Sequence, residues 1–237
     1  MDALIGYTGF IGSNIKNQKK FHYHYNSKNI NNIVNKSFDT VVCSGVSSVK
    51  WFANLNPKKD YDNIHSLIKK LKTISSKKFI LISTIAVYDN PADNAYGRNR
   101  LYLENYIRNN FKNHLIVRLP GLFGKGLKKN IIYDLLNNNH TYLPSKNSTL
   151  QYYFLENLWK DIECALKNKL QVLNISTEPI LFEEILNLFS VNTTSTKLMH
   201  ENMKSHYSKY WGKTGDYLYS EDEIKLDLKN YIKNQLK

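Results

Sequence analysis

At 237 residues the chain is long enough for one large domain, or one domain with a small appendage, and 42% hydrophobic residues suffice for a core. Two cysteines, Cys43 and Cys164, exclude a disulfide framework and point to a reducing compartment, and no apolar run is long enough to span a bilayer. The net charge of +13 is scattered as lysines through every segment, with no block of five or more. That pattern favours a solvated basic surface, attractive to anionic metabolites, over a nucleic-acid patch.

The chain enters a strand at once, Ala3 to Ile5, which leaves no room for a signal peptide and predicts a cytoplasmic protein. Gly6, Gly9 and Gly12 follow, and then a helical stretch from Phe10 to Lys16. Strand, glycine turn and helix are how a doubly wound sheet cradles a pyrophosphate. Gly6 permits the tight turn, Gly9 lets backbone approach the phosphates, and Gly12 lets the helix pack close to the strand. The helix N-terminus then offers free N–H groups to the anion. A second strand is predicted over 21–25. Its end is where such a domain reads the adenosine ribose, and an acidic residue there selects NAD. Asn26, Ser27 and Lys28 stand there instead, so NADP is preferred over NAD as the dinucleotide.

A third strand over 39–43 runs into the small-residue loop Ser44-Gly45-Val46-Ser47-Ser48, able to lie against a cofactor. A helix over 57–74 carries Ile64, Leu67, Ile68 and Leu71 on one face. Residues 79–83 form an apolar central strand, 94–111 a helix and 115–119 a fifth strand. The alternation predicts an α/β fold, a Rossmann-type doubly wound parallel sheet. Beyond Pro120 the pattern loosens. Helices are predicted near 130–136, 156–166, 179–189 and 221–236, and strands at 151–154 and 172–175. The expected division is a dinucleotide-binding core over 1–120 and a reduced substrate lobe over 121–237, interleaved with the last core elements.

Ligands of open α/β sheets bind outside the carboxyl ends of the strands. Thr84, ending the fourth strand, and Tyr96, starting the next helix, both lie there. Arg100, four residues on, shares a helix face with Tyr96. The Tyr-x-x-x-Lys/Arg spacing alone decides nothing: 17 tyrosines and 33 basic residues produce about two such pairs by chance, and Tyr142/Lys146 is the other. The position of Tyr96/Arg100 is what singles it out.

Four stretches in order, GYTGFIG at 6–12, STIAVY at 83–88, YGRNR at 96–100 and VRLPGLFGKG at 117–126, resemble the extended short-chain dehydrogenase/reductase superfamily. The similarity is to its NAD(P)-dependent epimerase/dehydratase branch, acting on nucleotide sugars, and runs from Ala3 to about Glu178. The resemblance implies that Tyr96 is the general acid/base of a hydride transfer at a sugar carbinol or ketone, with Thr84 hydrogen-bonding the reacting oxygen and Ser83 behind it. It implies cofactor contacts from Thr8, Phe10, Ile11, Val46, Asn63 and Pro120 besides the residues above, and substrate contacts from Lys128 and Asn130 after the glycine loop. The family places a lysine four residues after the tyrosine. Arg100 stands there, keeping charge and donors in a different geometry. A short loop before the tyrosine and a short C-terminal part imply a small or open sugar pocket. The expected partner is a nucleotide-sugar substrate, without nucleic acid, membrane or metal, and a homodimer is left open. The alternative is a non-catalytic dinucleotide-binding sensor or scaffold of the same fold.

Overall fold

The computed structural model describes residues 1–139 and 142–235, so the last residue of the predicted closing helix, Leu236, lies outside the described residues. The chain divides into two units, Met1–Arg118 with Trp159–Leu173, and Leu119–Leu158 with Asn174–Lys237.

The first unit is built on six strands. They are β1 (Asp2–Ile5), β2 (Tyr23–Tyr25), β3 (Ser37–Cys43), β4 (Ser75–Thr84), β5 (His114–Leu119) and β9 (Val172–Asn174), in the order β2-β1-β3-β4-β5-β9. The pairs β1–β2, β1–β3 and β3–β4 are parallel, with Ile5 opposite Tyr25 and Cys43, and Cys43 opposite Leu81. This is the parallel Rossmann-type sheet that the alternating pattern predicts. Alternate residues serve opposite faces. Ala3, Ile5, Val41, Cys43, Phe79, Leu81 and Ile116 pack in one cluster with Ile64, Ile68 and Leu71 of α3 (Pro57–Leu71) and with Leu103 and Ile107 of α4 (Ala95–Asn110). Their neighbours Leu4, Val42, Ile80 and Val117 are equally buried but outside that cluster. Away from it, α1 (Phe10–Gln18) meets α6 (Leu158–Lys167): the Trp159 N–H donates to Gln18 Oε1 at 2.8 Å, and the indole lies edge-on to Phe21 at 6.0 Å. Cys43 is fully buried, and burial pushes its thiol up to about 11, as suits an inert core cysteine.

Two elements depart from the sequence pattern. β4 starts at Ser75 rather than Phe79, pairing with Ser37 at the foot of β3. A short helix, α2 (Lys50–Leu55), precedes α3; its Trp51 and Leu55 are exposed, so it carries no inward stripe for periodicity to reveal. Between β2 and β3 there is only a 3-10 turn, Ile30–Ile33.

The second unit pairs β6 (Gly121–Phe123) with β8 (Tyr152–Phe154) in parallel, and β7 (Thr149–Leu150) with β10 (Ile180–Leu181) in antiparallel fashion. It also holds α5 (Ile131–Leu136), α7 (Phe182–Phe189) and α8 (Glu221–Gln235). Phe123, Phe154 and Tyr231 form its aromatic centre, with ring centroids 5.0–6.5 Å apart.

Candidate active site

Strand β1 has β2 on one side and β3 on the other, so the chain reverses its direction of travel across the sheet between them. Open α/β sheets take their ligands at such a switch point, outside the carboxyl ends of the strands, here β1 and β3. The glycine turn lies there. Gly6 has φ +85°, a left-handed conformation, and its N–H donates to the Tyr25 carbonyl at 2.7 Å. A Cβ on Gly12 would stand 2.1 Å from the Gly6 carbonyl oxygen, so only glycine lets α1 begin this close to the strand. Gly9 caps α1 with no side-chain hydrogen bond, and the first turn holds no acidic residue. The N–H groups that open any helix lack intrahelical partners, so this one is suited to an anion. Thr8 and Gly9 are exposed at the turn, with Phe10 and Ile11 half-buried behind them.

The turns that follow β2 and β3 flank the glycine turn. Asn26 Oδ1 accepts the Lys28 N–H at 2.9 Å, and the Asn26 N–H donates to Asn29 Oδ1 at 2.7 Å, which closes a tight polar turn. Asn26 also reaches the Tyr7 hydroxyl at 3.4 Å, tying this turn to the glycine loop. Ser27 and Lys28 are exposed, and residues 25–30 contain no carboxylate. On the other side Ser44 donates to the Ile5 carbonyl from both N–H and Oγ, at 2.9 and 3.0 Å. Gly45 is exposed beside it, and Val46 packs against the core cluster.

Further along the same edge, Thr84 ends β4 in extended conformation and its Oγ1 accepts the Ala86 N–H at 3.2 Å, starting the 3-10 turn Ile85–Tyr88. Asn94 caps α4, accepting from the Gly97 N–H and donating to the Ala86 carbonyl, both at 3.2 Å. The cap therefore fixes the start of α4 against that turn. It brings the half-buried Tyr96 within hydrogen-bonding reach of the Thr84 side chain. Burial, the largest influence, pushes the Tyr96 phenol above its ordinary value, against smaller downward pulls from Arg100 and from Thr84.

Arg100 is 4% exposed, so it is no solvated surface residue. Its guanidinium lies over the Tyr96 ring, 3.8 Å from the centroid. All four terminal N–H bonds go to protein acceptors. Nη1 donates to Asp60 Oδ2 at 2.5 Å and to the Tyr96 carbonyl at 3.1 Å, and Nη2 donates to Asp60 Oδ1 at 3.0 Å and to the Ser47 carbonyl at 2.5 Å. One turn beyond Arg100, Glu104 is fully buried. It accepts from Ser83 Oγ at 2.7 Å, from Arg118 Nε and Nη2 at 3.0 and 2.6 Å, and from Arg108 at 3.1 Å. Arg118 also donates to the Tyr88 hydroxyl and sits 4.7 Å from that ring.

The structure thus brings together Thr84, Tyr96 and Arg100, with Ser83 behind Thr84. Asn63 is exposed on α3, one turn from Asp60, and lines an open cavity of about 450 Å³ with Asn56, Lys58, Lys59 and Asp62. Pro120, Lys128 and Asn130 belong to the second unit. Pro120 is buried and Lys128 is exposed. The Asn130 side chain caps α5, accepting from the Tyr133 N–H at 3.1 Å and donating to the Leu122 carbonyl at 2.7 Å.

No family model matches the sequence, and no curated protein matches it. Solved structures do. UDP-glucose 4-epimerase from Thermotoga maritima, with UDP-glucose, aligns at a TM-score of 0.69 and 15% identity, over 100% of both chains. A dTDP-4-dehydrorhamnose reductase from Clostridium acetobutylicum aligns at 0.68 and 18% identity, again over 100% of both. RMD from Pseudomonas aeruginosa, complexed with NADPH, aligns at 0.67 and 14% identity over 99% of this chain and 98% of that one. The fold is that of the nucleotide-sugar epimerases and reductases. Within this fold, Asp60, Glu104 and Arg118 are buried charges that no motif in the sequence announces. One signal was available for Asp60: it precedes Ile64 by four on the stripe that continues through Ile68 and Leu71, so it is a carboxylate on an apolar face. Likewise Tyr96, Arg100 and Glu104 follow one another at intervals of four along α4.

Proposed function

We propose that the chain is an NAD(P)-dependent enzyme of nucleotide-activated sugars that reduces a sugar ketone, with Tyr96 as the proton donor. The observation that carries this reading is the Thr84–Tyr96 pair on the same sheet edge as a glycine turn and helix start packed so closely that a Cβ at position 12 would stand 2.1 Å from the Gly6 carbonyl oxygen. The residues present fit a dinucleotide. Gly6, Gly9, Gly12 and the first turn of α1 would hold its phosphates, Ser44 and Gly45 would flank it, and Ser27 and Lys28 would meet a 2′-phosphate. When bound, the dinucleotide supplies the hydride.

The chain's own task is the proton. Tyr96 donates its phenolic hydrogen to the ketone oxygen as that oxygen gains charge, and the Thr84 hydroxyl steadies both oxygens. Burial favours a protonated phenol. That is the form a reductase needs, whereas oxidation of an alcohol needs a base first. The UDP- and dTDP-sugar enzymes among the structural neighbours support the substrate class. A second reading, a non-catalytic dinucleotide-binding protein, is favoured by one observation: Arg100 has no terminal N–H left for a cofactor ribose.

The test is to incubate the purified protein with UDP- and dTDP-linked 4-keto sugars and NADPH while following the nicotinamide absorbance. Steady loss of absorbance with formation of the alcohol is expected. Isomerised product without loss of absorbance indicates an epimerase. No turnover across the panel contradicts catalysis and leaves the binding protein.

A further inference from the structure

Asp60 occupies a position where a carboxylate is costly. It is 4% exposed, on the inward face of α3 with Ile64, Ile68 and Leu71. A buried ion is tolerated when it is paired and fully hydrogen-bonded. Asp60 meets both conditions: Arg100 grips it with two bonds, and Asn99 Nδ2 donates to the same Oδ2 at 2.8 Å. Arg100 is itself fastened at the Ser47 and Tyr96 carbonyls, so neither member of the pair can swing away. Two opposite charges locked this closely present little net charge to a neighbour.

We propose that Asp60 is a positioning residue of the reaction. Its carboxylate holds the Arg100 guanidinium over the Tyr96 ring and offsets part of its charge there, so the pair keeps the phenol in place as a proton donor with less pull toward the phenolate than a lone cation would exert. This rests on the reading of Tyr96 as the acid. It also accounts for an arginine where the resemblance expects a lysine. A bidentate fork can clamp a carboxylate and still reach two carbonyls, which a single ammonium cannot do in the same plane. The charged groups facing Tyr96 are Arg100, one turn along α4, and Asp60, from α3; Thr84 from β4 gives the phenol a neutral hydrogen bond, and Asn54 from α2 accepts the Tyr96 backbone N–H. Arg100 favours the phenolate and Asp60 opposes it.

The experiment is an ultraviolet titration of Tyr96, read as the tyrosinate difference between each variant and the same variant carrying Tyr96→Phe. Asp60→Asn leaves the cation uncompensated, and roughly tenfold more phenolate at a given pH is expected. Arg100→Gln leaves the carboxylate uncompensated, and the titration moves the opposite way. The double variant D60N/R100Q removes both charges and is expected between the two singles, close to wild type. A purely structural ion pair would alter melting while the titrations coincide, and coincident titrations overturn the proposal. Should D60N not fold, D60N/R100Q and R100Q decide the matter by the same order. The titrations need no substrate. Ordered titrations without turnover refute the reductase reading alone, and turnover with coincident titrations refutes this inference alone.

Discussion

Replacing Glu104 by alanine is expected to destabilise the protein by about 3–5 kcal/mol, the usual cost of breaking a buried ion pair from one side. The carboxylate is fully buried and serves four donors: Ser83, Arg108 and two nitrogens of Arg118. The damage comes from what remains. Arg118 is 7% exposed, and without Glu104 its guanidinium has only Tyr88 as a side-chain partner in this cluster. For a chain of this size each kcal/mol lowers the melting temperature by about 2–4 °C, so a fall on the order of 10 °C is expected. Thermal denaturation followed by circular dichroism measures it. Removing both charges, as in E104L/R118L, should recover much of the loss, because no ion is then stranded. An E104A protein melting within a degree or two of wild type would show that the cluster is not what holds β4, α4 and β5 together.

Tyr96→Phe is expected to lower kcat for ketone reduction by about 10²–10⁴-fold, the range for losing a positioned proton donor. The ring should stay where it is, since the guanidinium over the ring face and the backbone N–H bond to Asn54 both remain when the hydroxyl is removed. Dinucleotide affinity and melting temperature should therefore remain within a small factor of wild type. The pH profile carries the sign of the same claim. Catalysis by a protonated phenol is fully available below its pKa and lost above it. Burial raises that pKa, so the reductive rate should stay flat through neutrality and fall only beyond the ordinary tyrosine value near 10. A Y96F enzyme with undiminished turnover would remove Tyr96 from the chemistry.

What could be read from the sequence is what short-range backbone geometry dictates. Gly6 and Gly12 are legible because a left-handed turn and a close helix approach each admit glycine and little else, whatever the rest of the chain does. Thr84 and Tyr96 are legible because one ends an apolar strand and the other opens a helix, so their location at the sheet edge follows from element order. The charged shell behind them is not legible, because it depends on partners far apart in sequence. Asp60 is 40 residues from Arg100, and in the chain it looks like an ordinary acidic residue in the first turn of a helix. Glu104 is 14 residues from Arg118, on a different element. Arg100 itself is legible, but its occupation by Asp60 and Ser47 is not. Asn130 carries a local signal of its own. Its side chain caps α5, a local role that its place just before Ile131 lets the sequence anticipate. The helix α2 is not legible because Trp51 and Leu55 face outward, which hides the periodicity that identifies helices.

The central claim, that the glycine turn at the switch point holds a dinucleotide, is tested most directly by calorimetric titration of the purified chain with NADPH and NADH. The account predicts saturable binding with NADPH the tighter ligand. It also predicts that Lys28→Ala removes that preference, weakening NADPH by roughly tenfold or more through loss of a charge-assisted hydrogen bond while leaving NADH unchanged. Binding of neither dinucleotide would contradict the account at its foundation.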